Sequence, residues 1–385
     1  MIRTLFQKIS NNLSYAKFNR RELSGSLGDL GTFLPIILGL AYVTGLSFSA
    51  MLFWSGAANI LTGLVFAIPM PVQPMKAIAA VALSGGMSAD EVYASGIIMA
   101  VLLILIWSLK LPNVLEKFVP KAVVRGIQLS IGLRLLIKGI DMIYLKPLIG
   151  YDSVVVGVLG LLFVFALYKN NRIPTALIIF ICGLSIAILS DFELLKSLKA
   201  GLFIPGLINI NFSAFSGGLF SGAIPQLPLT MLNSVIAVSA LSYDLFPKRG
   251  ADTGNITLSV GLLNFASFFG GMPMCHGSGG LAAQSRFGAE TNGSIIFLGT
   301  AKILIAVVLG ASIVPLISAF PESLLGVLLI IAGMELSLTT RDVRKLFDIA
   351  IVITITGITL IVSSLTIGFL VGIILYVIGK GKFSK

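Results

Sequence analysis

Residues 270–288, with the sequence GGMPMCHGSGGLAAQSRFG, interrupt a strongly apolar part of the chain. This stretch contains two pairs of adjacent glycines, a proline, an arginine and the single histidine of the protein. A helix that faces lipid does not have this composition. Irregular backbone inside a membrane is tolerated only where it is buried in protein or lines an aqueous cavity. The stretch therefore predicts a broken segment at a functional site.

An earlier stretch, residues 69–80 with the sequence PMPVQPMKAIAA, repeats the pattern. Residues 70–72 (MPV) correspond to 272–274 (MPM), and residues 78–80 (IAA) correspond to 281–283 (LAA). Two broken segments at corresponding places in two halves are typical of the central binding site of a transporter.

Composition excludes a soluble domain. The 385 residues are 56% hydrophobic and 11% charged, and their mean hydropathy is +1.02, whereas soluble domains are about 25% charged. The net charge of +11 does not indicate a nucleic-acid partner, because the basic residues lie at the ends of apolar runs. Cys182 and Cys275 lie in apolar surroundings and are expected to be free thiols without a disulfide.

The apolar runs predict an all-α polytopic membrane protein with fourteen segments, most of them close to the roughly 20 residues that cross a bilayer. The third and tenth segments are too short and are expected to be half-helices. The predicted limits are 27–45, 48–68, 70–84, 92–109, 119–138, 153–169, 173–190, 222–241, 255–270, 273–286, 293–316, 322–338, 346–361 and 363–380.

Internal similarity predicts two inverted repeats of seven segments each. Besides the broken segments, residues 25–31 align with 222–228. Pro120, Gly132 and Arg134 align with Pro321, Gly333 and Glu335 at the same offsets.

The positive-inside rule places both termini in the cytoplasm. With this orientation, only Lys138, Lys146, Lys196 and Lys199 fall outside. The basic residues on the cytoplasmic side are Arg3, Lys8, Lys17, Arg20, Arg21, Lys110, Lys117, Lys121, Lys169, Arg172, Lys248, Arg249, Arg286, Arg341, Arg344, Lys345, Lys380, Lys382 and Lys385.

Lys76 and Asp29 are charged residues within apolar segments. A cation at the centre of a membrane helix costs at least about 2.5–3.5 kcal/mol, so Lys76 requires either a buried partner such as Asp29 or an anionic ligand. We favour the ligand, because Lys76 opens a half-helix whose free N–H groups and dipole also attract anions. Asp29 is either a structural hydrogen-bonding group or a proton carrier.

The glycines after His276 predict a second anion-binding element. In residues 278–280 (SGG), small side chains allow backbone amides to approach a ligand closely, and two facing half-helix N-termini would suit a small tetrahedral oxyanion. The alternative is that these glycines serve helix packing. His276 is either a pH-sensitive group or, as we favour, a structural hydrogen-bonding residue. Arg286 is expected to be an anchor, and the roles of Arg134 and Glu335 are open.

Four motifs resemble those of the molybdate transporters related to sulfate permeases: residues 25–35 (GSLGDLGTFLP), 69–77 (PMPVQPMKA), 225–234 (PQLPLTMLNS) and 273–284 (PMCHGSGGLAAQ). The resemblance implies a seven-plus-seven inverted-repeat fold, shared with uracil permeases. It implies a core domain (25–110 and 219–318), a gate domain (111–190 and 319–380) and a homodimer formed through the gate domain. A lead-in (1–24) and a linker (191–218) complete the chain. The substrate-binding residues that we expect are Thr32, Gln73, Lys76, Ala77, Gln226, Ser278, Gly279, Gly280 and Gln284, with Asp29 and His276 as coupling candidates.

The expected function is cation- or proton-coupled import of molybdate across the cell (inner) membrane by alternating access. Tungstate and sulfate are further candidate substrates, since they share the shape and charge of molybdate. The alternative is a sulfate or other anion exchanger or channel on the same fold. A membrane enzyme is disfavoured because the sequence lacks a nucleophile–base motif, and we expect neither a metal nor a cofactor.

Overall fold

A computed structural model describes residues 11–83, 85–112, 119–168, 173–196, 198–362 and 364–382. Almost every ordered element in these ranges is a helix, and the two strands have two residues each. The predicted cytoplasmic residues Arg3, Lys8, Lys117, Lys169, Arg172 and Lys385 lie outside the described residues.

The first half runs from α1 to α8, with one short strand before α4. Its elements are α1 (Arg20–Ser26), α2 (Leu30–Thr44), α3 (Phe48–Phe66), β1 (Gln73–Pro74), α4 (Lys76–Leu83), α5 (Ala89–Ser108), α6 (Lys121–Tyr144), α7 (Val154–Ala166) and α8 (Thr175–Ser190).

The second half begins after a single helical turn at Glu193–Lys196. Its elements are α9 (Ala214–Leu245), α10 (Thr253–Leu263), β2 (Met274–Cys275), α11 (Ser278–Arg286), α12 (Gly293–Val308), α13 (Glu322–Ser337), α14 (Leu346–Val362) and α15 (Leu365–Lys382).

Local sequence accounts for several helix ends. Ser88 and Glu91 form a capping box at the start of α5, which satisfies N–H groups that lack helical partners. Gly45 ends α2 with a φ of 75°, a left-handed conformation that glycine adopts without strain. Helix α9 contains π-helical turns, Gly218–Ala223 and Thr230–Ala237. They flank a turn with two prolines, which lack the N–H donors of a regular helix.

Some of the predicted boundaries are wrong. Helix α9 begins at Ala214 rather than at residue 222, so it includes the end of the predicted linker, and α6 continues to Tyr144 beyond the predicted end at residue 138. Asp29 does not lie inside a helix, because it occupies a break of three residues between α1 and α2, whose axes differ by 44°. Asp29 is buried at this break, where the backbone does not continue as a regular helix.

Four of the described helices, α3, α5, α9 and α13 with its extension to Asp342, are long and apolar enough to cross a bilayer. The bent pairs α1–α2 and Gly293–Val308 with Gly310–Ser318 would raise the number to six. Shorter apolar helices lie at Val154–Ala166, Thr175–Ser190, Leu346–Val362 and Leu365–Gly379. The fourteen segments and the seven-plus-seven repeat therefore stay a prediction.

Reciprocal glycine contacts hold the main helix pairs together. A Cβ at Gly299 of α12 would lie 2.5 Å from the Gly56 carbonyl oxygen of α3, and a Cβ at Gly56 would lie 2.7 Å from the Gly299 carbonyl oxygen. Between α6 and α13, Gly132 and Gly333 approach each other in the same way. Backbone contact of this kind is possible only without side chains, and it permits the close helix packing that stabilises proteins in lipid.

We expect the substitution Gly299→Ala to lower the free energy of unfolding by about 1–3 kcal/mol, because the added methyl group overlaps the α3 backbone. The matched control is Gly357→Ala on α14, where a Cβ has no neighbour within 4 Å. Thermal unfolding of the purified protein in detergent would measure both. Equal stability of the two variants would contradict the proposed role of the glycine contact.

Candidate functional site

The two broken segments meet inside the protein through their strands. Strands β1 and β2 pair antiparallel, with Gln73 opposite Cys275 and Pro74 opposite Met274. On the far side of β2, the side chain of Asn264 donates to the Met274 carbonyl at 2.7 Å and accepts from the Met274 N–H at 2.9 Å. The extended backbone is thus hydrogen-bonded away from water, as its depth requires. Short helices α4 and α11 follow directly from the two strands.

A buried carboxylate–amide pair lies between the two segments. The Gln73 side-chain nitrogen donates to both carboxylate oxygens of Asp29 at 2.6 Å, and both residues are buried. A Cβ at Gly277 would lie 2.0 Å from the Gln73 side-chain oxygen, and one at Gly280 would lie 2.8 Å from an Asp29 carboxylate oxygen. These glycines are therefore required for α11 to begin against the Asp29–Gln73 pair.

Two amide side chains of α9 contact the N-termini of the short helices. Gln226 accepts hydrogen bonds from the backbone N–H of Ala77 at 2.8 Å and of Ile78 at 3.4 Å. Asn233, about two turns further along α9, accepts from the Ser278 hydroxyl at 2.8 Å. Helix α9 is thus hydrogen-bonded to the first turn of both short helices. These ends carry the positive partial charge of a helix N-terminus.

A cavity of about 280 Å³ opens beside these helix ends. It is lined by Gly31, Thr32, Pro35, Ile36, Lys76, Ile131, Arg134, Leu135, Lys138, Met142, Leu229, Asn233, Leu329 and Leu365. Three lining residues are cations and none is acidic. Among the described residues, neither Lys76, Arg134 nor Lys138 lies within 4 Å of a carboxylate. The cavity is therefore suited to an anion.

The structure separates the predicted site residues into two groups. Thr32 and Lys76 line the cavity. Gln73, Gln226, Ser278, Gly279, Gly280 and Gln284 are buried outside its lining, and the partly buried Ala77 is also outside it. Leu135 of α6 contacts the start of α11, since a Cβ at Gly279 would lie 2.4 Å from a Leu135 methyl group. Among the described residues Lys76 and Asp29 do not form a direct ion pair, and the Asp29 carboxylate accepts from Gln73.

His276 lies apart from the cavity lining. Its ring is fully buried, with Nδ1 2.8 Å from the Pro71 carbonyl oxygen and Nε2 3.0 Å from the Ser259 hydroxyl. A carbonyl can only accept, so Nδ1 carries the proton and Nε2 accepts from Ser259. Both ring nitrogens are therefore engaged in joining the two broken segments to α10, which favours the structural interpretation over the coupling role.

The sequence does not assign three cations to this region. It leaves the role of Arg134 open and uses Lys138 only to orient the chain, although their spacing of four residues places them on one face of a helix. Lys302 has no predicted role, although it interrupts an apolar run in α12. It is buried, donates to the Asn59 side-chain oxygen at 2.9 Å, and lies 3.6 Å from the centroid of the Phe33 ring.

A second, larger cavity of about 760 Å³ lies at another level of α6. Arg125 lines this cavity, whereas residues 131–142 of the same helix line the smaller one. Its walls contain several ion pairs. Arg125 contacts Asp244 at 2.6 Å and Asp342 at 2.7 Å, and Arg286 contacts Glu335 at 3.0 Å. Arg286 is thus an ion-pairing residue, beyond the anchoring role that we expected.

Among the described residues, no group of three or more histidine, cysteine, aspartate or glutamate residues could hold a metal ion.

The sequence is similar to those of known transporters. Residues 21–135 and 218–336 match the family described as "Molybdate transporter of MFS superfamily". "Molybdate transporter 2" of Arabidopsis thaliana is 38% identical, over 93% of this chain and 87% of that protein. "Molybdate transporter 1" of Chlamydomonas reinhardtii is 31% identical, over 94% of this chain and 91% of that protein.

Solved anion transporters have a similar fold. The murine Solute Carrier 26 family member A9 anion transporter, in its inward-facing state, gives a TM-score of 0.64 over 96% of this chain and 70% of that chain. The transmembrane domain of the cyanobacterial bicarbonate transporter BicA gives 0.58 over 92% of this chain and 96% of that chain. Both are 15% identical, so the likeness establishes the fold and not the substrate.

The Asp29–Gln73 pair gives a stability prediction. We expect the substitution Gln73→Leu to lower the free energy of unfolding by about 1–3 kcal/mol, because the buried Asp29 carboxylate loses the donor that bonds both of its oxygens. The double substitution Asp29→Leu with Gln73→Leu should recover part of this loss. Thermal unfolding without substrate would measure both. A double variant less stable than the single variant would contradict this account.

Proposed function

The chain belongs to the molybdate transporter family, and on this premise we propose that it is a secondary active transporter that imports molybdate by alternating access. The observation that carries the proposal is the position of Lys76. Its side chain opens α4, lines the 280 Å³ cavity and has no carboxylate partner within 4 Å in the described structure. A charged residue inside a membrane protein commonly marks the path of a substrate or ion, and an anion in this cavity would compensate the Lys76 charge.

Side-chain and backbone donors could each bond a different oxygen of a tetrahedral anion. We propose that Lys76 and Thr32 contact the anion directly and that the backbone N–H groups at Ala77 and at residues 278–280 complete the site. The amide oxygen of Gln226 accepts from the Ala77 N–H in this structure. When the anion binds, an anion oxygen would replace the Gln226 oxygen as the acceptor. Gln73 and Gln284 are proposed to support the site from behind, since both are buried.

The moving parts are proposed to be the core domain (25–110 and 219–318) and the gate domain (111–190 and 319–380). Cavities and ion pairs lie where the two meet, which supports this division. In the smaller cavity Lys76 belongs to the core and Arg134 to the gate, and the Arg286–Glu335 pair also joins the two. Breaking and remaking such contacts at alternate ends is one way for rigid bodies to rock around a fixed site.

Charge makes a coupling ion necessary. Import of a dianion into a negative-inside cell opposes about 4.6 kcal/mol per 100 mV. At least two co-transported cations are needed to offset this charge, and we propose protons. Asp29 is the first candidate carrier because it lies against both broken segments, and His276 is the second. We further propose a location in the cell (inner) membrane with both termini cytoplasmic, and a homodimer formed through the gate domain.

We expect Lys76→Ala and Gly279→Leu each to abolish molybdate binding in calorimetry. The first removes the central cation, and the second inserts a side chain where α11 contacts Leu135. Lys345→Gln, at an exposed position, is the charge-matched control and should bind normally. Wild-type affinity in both site variants would place the site elsewhere. Competition by tungstate, sulfate and selenate would identify the preferred oxyanion.

We also expect uptake of labelled molybdate into proteoliposomes to increase with an inward proton gradient. With two protons per dianion the cycle is electroneutral and the membrane potential has no effect, whereas with three or more protons an inside-negative potential also increases uptake. Uptake that is indifferent to both pH and voltage would rule out proton symport. Uptake that requires an anion inside the vesicle would instead support an exchanger, and single-channel currents would support a channel.

A further inference from the structure

The cations around the smaller cavity come from two different parts of the protein. Lys76 lies on α4, whereas Arg134 and Lys138 lie on α6. We propose that Arg134 and Lys138 make this cavity selective for doubly charged over singly charged tetrahedral oxyanions. The proposal rests on the function proposed above, since it assumes that the transported anion occupies this cavity.

The first argument is the contrast between two arginines on one helix. Arg125 of α6 is buried and forms ion pairs with Asp244 and Asp342. Arg134, which is only partly buried, donates to a neutral acceptor, the Thr359 carbonyl oxygen, at 2.5 Å. The protein therefore compensates one guanidinium with carboxylates and turns the other towards a cavity. A structural role alone would not require the Arg134 charge, because a neutral donor could bond a carbonyl.

The second argument is the spacing of the two residues. Residues four apart on a helix lie on the same face, and both side chains line the same cavity. Lys138 is exposed, so it can meet an anion at the entrance of the cavity. Arg134 lies one turn deeper. A guanidinium offers several donors in a planar fork, and an ammonium group acts as a point charge, so the two cations suit separate oxygens of one anion.

The third argument is the balance of charge. The cavity lining carries three positive charges and no carboxylate. Asp29 lies against Gln73 outside the lining, and its charge also acts on the buried Lys302, so it does not cancel the lining charges by itself. A dianion compensates two of the three lining charges, whereas a monoanion compensates only one. Most other lining residues are apolar, including Ile131, Met142 and Leu329, so charges in this cavity are screened less than they would be in water.

An anion in this position would contact the proposed core through Lys76 and the proposed gate through Arg134. Without the anion, the positive charges of Lys76 and Arg134 repel each other. A dianion between them attracts both cations and outweighs their repulsion, so the two parts can approach. Charge recognition and domain closure would thus depend on the same residues.

The test compares molybdate with perrhenate, a tetrahedral oxyanion of similar size with a single charge, by calorimetry on the purified protein. The wild type should prefer molybdate. We expect Arg134→Gln and Lys138→Gln each to weaken molybdate binding about tenfold or more while changing perrhenate binding much less, which lowers the preference for the dianion. Arg134→Lys should keep most of the preference, and the exposed Lys345→Gln should keep all of it.

Unfolding midpoints would show whether each variant is folded. Lys138 is exposed, so Lys138→Gln tests the proposal even if Arg134→Gln is unstable. An unchanged molybdate preference in Lys138→Gln and in any folded Arg134→Gln, or an equal loss of both anions, would overturn the inference. If Lys76→Ala still abolished binding in that case, the proposed function would stand. Failure of the wild type to bind molybdate would refute the proposed function itself.

Discussion

The pairing of two short extended segments inside the protein is the constraint on which the rest of the structure depends. Backbone polar groups at membrane depth must be satisfied internally. Strands β1 and β2 achieve this by pairing with one another, and Asn264 bonds the outer edge of β2. Once this pairing is formed, α4 and α11 begin close to one another. Lys76, the first residue of α4, lines the cavity, and Gln226 accepts from the next N–H groups of that helix. The candidate site therefore depends on how the extended backbone is hydrogen-bonded.

Close packing and charge then define that site. Gly277 and Gly280 permit α11 to begin directly against the Asp29–Gln73 pair, and larger side chains would separate the two broken segments. Lys76, Arg134 and Lys138, which have no carboxylate within 4 Å in the described structure, line the cavity. Carboxylates compensate Arg125 and Arg286 elsewhere along the boundary of the two proposed domains. The same boundary thus contains paired charges at one level and unpaired cations at another, an arrangement suited to a charged cargo and a moving interface.

Much of the site could be predicted because its residues violate the local expectation for a membrane helix. Lys76, Asp29 and the Gly-rich stretch after His276 are conspicuous in apolar surroundings, and the broken segments are present where the sequence predicts them. The partners of these residues could not be predicted. Gln73 was expected to bind substrate but is bonded to Asp29. Gln226 accepts from a backbone N–H at the start of α4. The sequence does not indicate whether a neutral polar side chain contacts a ligand or a neighbouring helix.

The sequence by itself determined that this chain is a helical membrane protein with two interrupted segments, because hydropathy and backbone breakers act locally and are visible in the order of residues. Only the tertiary structure decided which charges meet. Arg134 and Lys138 share a helix, but Lys76 reaches their cavity from a segment more than fifty residues away. Lys302 lies by Asn59 and Phe33 only because Gly56 and Gly299 let α3 and α12 touch. Electrostatic compensation acts through space, so its partners depend on helix packing rather than on position along the chain.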